Sequence, residues 1–432
     1  MTSAARRKIE RPARFSGSVD VPPDKSITHR AVMLSALAEG ESTIDNPLAA
    51  ADCLSTVGCV SALGAAVDRR PGRWTVRGVG LSGFKAPKGP LDCGNSGTTM
   101  RLLSGILAGQ PFETTMAGDA SLSKRPMGRV ADPLRAMGAQ VDLTDGKFAP
   151  MKISGRRPLT GIRWKSAVAS AQVKSCVLLA GLFADGEMAF EEPSLSRDHT
   201  ERMLSACGVA VSRAGNAVSV RRPARLDAQK WTVPGDISSA AFFLTAGAIV
   251  PKAAVRLTSV NLNPTRTGIL DVFAAAGAKV RIENERVAGG EPVGDLVIDE
   301  QPAFRPFNID RAIAPRLIDE VPVLAVAATQ AHGTSFFRGL EELRVKETDR
   351  LAALATNLRA MGADVEEQPD GLIINGPVKL NGAAVSSFDD HRIAMAFAVA
   401  GLVADGQTEI EAADCVAISF PTFWETLDRL SR

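Results

Sequence analysis

Six stretches of this chain place polar or charged residues just where an apolar run begins. Residues 23–30 read PDKSITHR, 91–101 read LDCGNSGTTMR and 169–175 read ASAQVKS. Residues 235–240 read GDISSA, 314–320 read APRLIDE and 389–392 read DDHR. If each run is a helix, its first backbone N–H groups are unpaired and its dipole turns a positive end outward. Such an end suits an anion, and Lys25, Arg30, Arg101, Lys174, Arg316 and Arg392 near the starts add positive charge. Glycines 94 and 97 let the backbone of the second stretch approach a ligand closely.

Each stretch also has an ordinary reading. Asn, Ser, Thr and Asp are standard helix caps. A lone Arg or Lys is usually a surface ion pair worth about 0–1 kcal/mol. Asp319 and Glu347 are the carboxylates nearest these cations, and cap or ion-pair partner is the plain account of both. Several charged openings at equivalent points of a repeat argue instead for helix N-termini gathered on one anionic region. More cations lie between them, in SLSKRPMGR (121–129), SRDHTER (196–202) and LRVKETDR (343–350).

The elements behind these residues repeat. An apolar, helix-like run followed by a β-branched stretch occurs at 29–46, 99–118, 173–192, 240–260, 323–340 and 391–414. A second, amphipathic helix alternates with it and stops at Gly64, Gly138, Gly208, Gly277 and Gly362, before a strand. The stops recur every 70 to 85 residues or so, and 423–430 is a sixth helix of this kind. The period predicts an α/β unit repeated six times, three copies to a domain, because one unit cannot bury both its helices. The division is expected at VPPD (21–24) and VPGD (233–236), two proline-bearing segments that could act as hinge strands. One domain is then 22–234. The other joins 1–21, including a strand near 14–19, to 235–432. The cleft between them is the expected ligand site.

Composition excludes several functions. The 432 residues carry 50 Lys+Arg against 48 Asp+Glu, a net charge of +2, so no nucleic-acid partner is expected. The four histidines lack metal-ligand spacing, and no metal or cofactor is expected. The six scattered cysteines read as reduced core thiols. Without a secretory leader or a long apolar span, the chain is expected to be cytoplasmic, away from membranes, and a monomer.

In this order PDKSITHR, LDCGNSGTTMR, GDASLSKRPMGR, ASAQVKS, NPTRTG, LRVKETDR and DDHR resemble the EPSP synthase family, the 3-phosphoshikimate 1-carboxyvinyltransferases, from about residue 14 to 424. The details SAQVKS, SRDHTE and RLIDE are similar to its class II branch. The resemblance implies a two-domain inside-out α/β barrel of six βαβαββ units. It implies transfer of the carboxyvinyl group of phosphoenolpyruvate to shikimate 3-phosphate, with release of phosphate. By the same match Lys25, Ser26 and Arg30 would hold shikimate 3-phosphate, Lys25 also reaching phosphoenolpyruvate. Ser170, Ala171, Gln172 and Arg197 would lie on the phosphoshikimate side. Gly97, Arg125, Arg350 and Arg392 would contact phosphoenolpyruvate, and Asn95 would also bind substrate. Asp319 would take the proton of the 5-hydroxyl, Glu347 would be a second acid–base group, and Lys346 would touch substrate. Closure of the two domains would keep water from the activated enol ether.

Some residues depart from the family pattern. Ile418 stands where the other branch has a Lys, Leu102 where it has Pro, and the chain has no Tyr, leaving Arg197 and His199 to replace any tyrosine contact. Glyphosate competes with phosphoenolpyruvate in this family, and some tolerant members carry Ala where this chain has Gly97, so sensitivity is expected. Two other readings stand beside this one. A UDP-N-acetylglucosamine enolpyruvyl transferase usually has a reactive Cys in the loop that here reads SLSKRPMGR. A non-catalytic anion-binding protein on the same repeat would not need Lys25, Asp319 and Glu347 together.

Overall fold

The computed structural model describes residues 5–301 and 304–432. Its helices in chain order are α1 (Lys25–Leu37), α2 (Ala51–Ala62), α3 (Gly97–Ala108), α4 (Gly128–Ala136), α5 (Ala171–Gly181) and α6 (His199–Ala206). They continue as α7 (Ile237–Ile249), α8 (Gly268–Ala275), α9 (Val321–Ala328), α10 (Arg350–Ala360), α11 (His391–Gly401) and α12 (Phe423–Leu430). The odd-numbered helices are the six apolar runs, and the even-numbered ones are the amphipathic series.

Helices α2, α4, α6, α8 and α10 end the same way. Their stop glycines all have positive φ, between +84° and +109°, which an L side chain rarely adopts. The next N–H reaches back to close the last turn: Ala65 to Val60, Ala139 to Leu134, Val209 to Leu204, Ala278 to Phe273 and Ala363 to Leu358. The repeat is therefore punctuated by one recurring backbone motif.

The odd-numbered helices are buried on nearly every side, as runs without a polar face must be. Small residues let them meet closely: a Cβ on Gly105 of α3 would lie 2.1 Å from the Cys176 carbonyl oxygen of α5. Around them stand sheets of one recurring order. In the second repeat Leu91–Asp92 runs parallel to Glu113–Ala117, which pairs antiparallel with Phe148–Ser154, and that with Gln140–Thr144. Phe148–Ser154 alternates buried and exposed residues, the signature of a strand with one face on a core. Helices inside and sheets outside give each half its inside-out character.

Two strands are exchanged. Ser16–Asp20 precedes α1 but runs parallel to Ala254–Asn261, the strand after α7. Lys230–Thr232 precedes α7 but runs parallel to Glu39–Asp45, the strand after α1. The chain divides into two compact units. The first is Pro23–Val233 with Ala288–Glu291, and the second is the chain up to Pro22 with Pro234–Val287 and Pro292–Arg432. Each has its own apolar core.

Three features differ from the sequence reading. Segments 21–24 and 233–236 shrink to one bridging residue each, Pro23 and Gly235, the latter pairing parallel with Val260, since Pro22, Pro23 and Pro234 have no N–H to extend a ladder. Arg7–Ile9 is a strand, pairing antiparallel with Thr408–Glu411 where the last repeat has no hairpin of its own. Ala288–Glu291, the tip of a hairpin, groups with the first unit. Among the described residues no helix is long and apolar enough to cross a membrane, and the six cysteines are free thiols.

Candidate active site

In the first unit the odd-numbered helices open at α1, α3 and α5. Asp24 caps α1 by accepting the Ile27 N–H at 2.9 Å. Lys25 follows, and its Nζ lies 3.0 Å from Asp52 Oδ2 on α2. Arg30, one turn on, is buried; it donates to Thr200 Oγ1 (2.7 Å), Ser175 Oγ (2.6 Å) and the Ser26 carbonyl (2.9 Å). These bonds hold α1 against α5 and α6.

Ser96 caps α3 by accepting the Thr99 N–H at 3.1 Å. Asn95 donates to Asp119 Oδ2 at 2.7 Å and accepts from Arg125 Nη2 at 2.6 Å, so it aims that guanidinium. Ser121 accepts from the same nitrogen at 3.1 Å. Gly97 sits beneath two guanidiniums: a Cβ there would lie 3.2 Å from Arg101 Nη1 and 3.5 Å from Arg125 Nη1. Arg101 donates to Gln172 Oε1 at 2.6 Å, and Gln172 Nε2 to Thr98 Oγ1 at 2.9 Å. Gln172 thus joins the start of α5 to the start of α3.

Ser170 caps α5, accepting from the Val173 N–H at 3.4 Å, and Ala171 opens the helix. Behind this opening lies Lys174, fully buried, with Nζ 2.9 Å from both Glu192 Oε1 and Glu201 Oε1. Ser196 donates to both oxygens of Glu192. Buried, paired carboxylates of this kind fix a loop, and Arg197 is the half-exposed next residue of that loop. His199 is not open to a ligand: it is fully buried, with Nδ1 2.7 Å from Glu291 Oε1.

In the second unit the charged residues gather on Arg350, the first residue of α10. Its guanidinium is 1 % exposed and meets Asp390 (2.7 Å), Glu347 (2.7 Å) and Asp319 (3.4 Å). Burial, the largest single influence, works to lower the Arg350 pKa, but the three carboxylates outweigh it and the pKa is raised. Arg392 adds a second cation, with Nε 3.6 Å from Asp319 Oδ1 and Nη1 donating to the Asp319 carbonyl at 3.3 Å. Asp390 caps α11 through the Arg392 N–H at 2.8 Å. Burial lowers the Lys346 pKa, while Asp319 and Glu342 hold it up. Asp319 and Glu347 therefore share one guanidinium, and both keep part of their side chains exposed, at 14 % and 20 %. Arg316 is not in this group, since it pairs with Asp271 at 2.5 Å.

The structure thus collects Lys25, Ser26, Arg30, Asn95, Gly97, Arg125, Ser170, Ala171, Gln172 and Arg197 in the first unit, around three helix openings and their loops. It collects Asp319, Lys346, Glu347, Arg350 and Arg392 in the second. Thr98, Asp119 and Thr200, which help hold these residues, lie within the quoted motifs, whereas Asp52 belongs to no motif a sequence reader would stop at.

Six repeats, with cations at several of the inner helix openings and two carboxylates on one buried guanidinium, define an α/β enzyme of the enolpyruvyl transferase fold. Among solved structures, EPSP synthase from Acinetobacter baumannii superposes with a TM-score of 0.88 at 44% identity, over 99% of this chain and 98% of that one. The enolpyruvyl transferase NikO from Streptomyces tendae, at 19% identity and a TM-score of 0.78, shares the fold. The family model described as EPSP synthase (3-phosphoshikimate 1-carboxyvinyltransferase) matches residues 9–427. Relatives named 3-phosphoshikimate 1-carboxyvinyltransferase include one from Salinibacter ruber, 52% identical over 98% of this chain and 99% of its own. Another, from Gloeobacter violaceus, is 53% identical over 96% and 97%. The chain belongs to the EPSP synthase family. These names support the phosphoshikimate reading and not the UDP-N-acetylglucosamine one.

Proposed function

We propose that this chain moves the carboxyvinyl group of phosphoenolpyruvate to the 5-hydroxyl of shikimate 3-phosphate in the shikimate pathway. The observation that carries the mechanism is the pair Asp319 and Glu347 on the one buried guanidinium of Arg350. Asp319 takes the hydroxyl proton as the oxygen attacks C2 of phosphoenolpyruvate, while the methylene carbon gains a proton from Glu347 or Lys25. The tetrahedral adduct keeps its phosphate and carboxylate. Lys25, Arg125, Arg350 and Arg392 hold these anions without reorganising as charge develops. The methyl group then returns a proton, the C–O bond to phosphate breaks, and the enol ether and phosphate leave.

Ser26, Arg30, Ser170, Ala171, Gln172 and Arg197 serve shikimate 3-phosphate. Asn95, Gly97 and Lys346 serve the reacting end, and glyphosate competes there with phosphoenolpyruvate. On this reading both clusters act on the same pair of substrates, in a monomeric cytoplasmic enzyme. The test is phosphate release with both substrates present, for wild type and Asp319→Asn. Wild type should release phosphate only when both are supplied. Asp319→Asn should be slower by roughly 10²–10⁴-fold with its melting temperature little changed. No release by the wild type removes the proposal.

A further inference from the structure

Helix α2 touches the openings of both α1 and α3, and two of its residues make the connection. Asp52 and Thr56 are one turn apart and so share a face. Asp52 Oδ2 accepts from Lys25 Nζ at 3.0 Å, and its carbonyl accepts from Thr99 Oγ1 at 3.4 Å. Thr56 Oγ1 lies 2.6 Å from His29 Nδ1 on α1 and 2.6 Å from Thr99 Oγ1 on α3. Thr99 Oγ1 lies 2.8 Å from Ser96 Oγ, the α3 cap. His29, Thr56, Thr99 and Ser96 are each 0 % exposed.

This chain is costly for a plain core. The Nε2 of His29 has no hydrogen-bond partner, so the buried imidazole is held by one bond. An apolar side chain would fill the space without that cost. What the imidazole and the two threonines supply is direction: short bonds between hydroxyls tolerate little change in spacing. They run from the helix that carries Lys25 to the turn that carries Gly97. Helix α1 has other anchors, through the bonds of Arg30 to Thr200 and Ser175. Loss of the chain therefore loosens the α3 turn before it loosens α1.

We propose that Thr56, bonded to His29 and Thr99, is a positioning residue that sets the spacing of the Gly97 turn from Lys25, and so tunes affinity for phosphoenolpyruvate separately from that for shikimate 3-phosphate. The inference rests on the function proposed above. Thr56→Val keeps the shape and removes the hydroxyl. Its KM for phosphoenolpyruvate should rise about tenfold, the loss expected for one buried hydrogen bond with a partner left unpaired. Its kcat, and its Kd for shikimate 3-phosphate by direct titration, should stay within about twofold. Thr56→Ser, which restores the hydroxyl, should recover most of the loss. Should Thr56→Val fail to fold, Thr99→Val reads the same bond from its other end. An unchanged KM, equal losses for both substrates, or no rescue by Ser overturns the inference in an enzyme whose wild type is active. A wild type that releases no phosphate overturns the function instead.

Discussion

The two units use one repeat but open their inner helices differently. Asp24 and Asp236 are equivalent caps at α1 and α7, both buried and both accepting a first-turn N–H. After the cap, the first unit has Lys25, Gly97 and Ala171 at the three openings. The second has Ile237, Val321 and His391, each at most 1 % exposed. The second unit also closes its first opening with internal bonds. Arg266 donates to Asp236 and Ser238, at 2.9 Å each, and Ser238 donates to Glu320. One unit thus leaves its helix dipole ends to small residues and cations. The other fills them with larger side chains, and the residues proposed to act lie beside the openings: Asp319 before α9, Glu347 and Arg350 at α10, and Arg392 one residue into α11. The repeat supplies geometry, and the residue after each cap decides whether the opening can receive an anion.

The strongest way to break this comparison is to copy one unit onto the other. Lys25→Ile gives α1 the residue that opens α7. The cap and the helix remain, so the protein should fold, but a cation within reach of both proposed substrates is gone. We expect kcat/KM for phosphate release to fall at least about 100-fold, roughly 2.7 kcal/mol. A variant within tenfold of wild type would mean that the opening of α1 is no more a ligand site than that of α7.

The second pair of openings, α3 and α9, allows a finer test. Gly97 and Val321 are both buried, but Gly97 has no side chain where Val321 fills the opening. Gly97→Ala adds one methyl group toward the state of α9. No positive φ stands in its way, and the tight neighbour, Arg101 Nη1 at 3.2 Å, is the end of a flexible side chain. The fold should therefore survive while the guanidinium shifts. The KM for phosphoenolpyruvate should rise about tenfold or less, and glyphosate should lose more affinity than the substrate does. Equal inhibition constants for wild type and variant would show that Gly97 does not face the inhibitor.

Much of this was legible in the sequence because its cause is local. A glycine stop needs only its own turn, and all five stop glycines have the positive φ that the pattern implies. Asp24, Ser96, Ser170, Asp236 and Asp390 all accept the first-turn N–H groups that their types suggest. What the sequence hid depends on distant partners. The resemblance makes Arg30 a phosphoshikimate ligand, but gives no sign that its guanidinium is also bonded to residues 145 and 170 positions away. Lys174 reads like the other cations at helix openings, but Glu192 and Glu201 bury it. Asp52 and Thr56 gave no signal, because their meaning lies in α1 and α3 rather than in their own helix.

The smallest effect sharpens the contrast at its interior. His29 stands behind the open end of α1, and burial, followed by the charges of Lys25 and Arg30, holds its pKa well below the usual 6.5. The folded protein therefore resists a proton that the unfolded chain accepts. Stability contributed by the neutral imidazole is complete above about pH 6.5 and is lost as pH falls toward the lower folded-state pKa. The position that matches His29 in α7 is Ala241, which cannot titrate. Denaturant midpoints for wild type and His29→Asn at about pH 7 and about pH 5 isolate this contribution from the common titration of carboxylates. Wild type should lose more stability on acidification than the variant. Equal losses would mean that the imidazole is already protonated in the folded state, and that the hydroxyl chain from Thr56 to Ser96 is organised around a cation rather than a neutral ring.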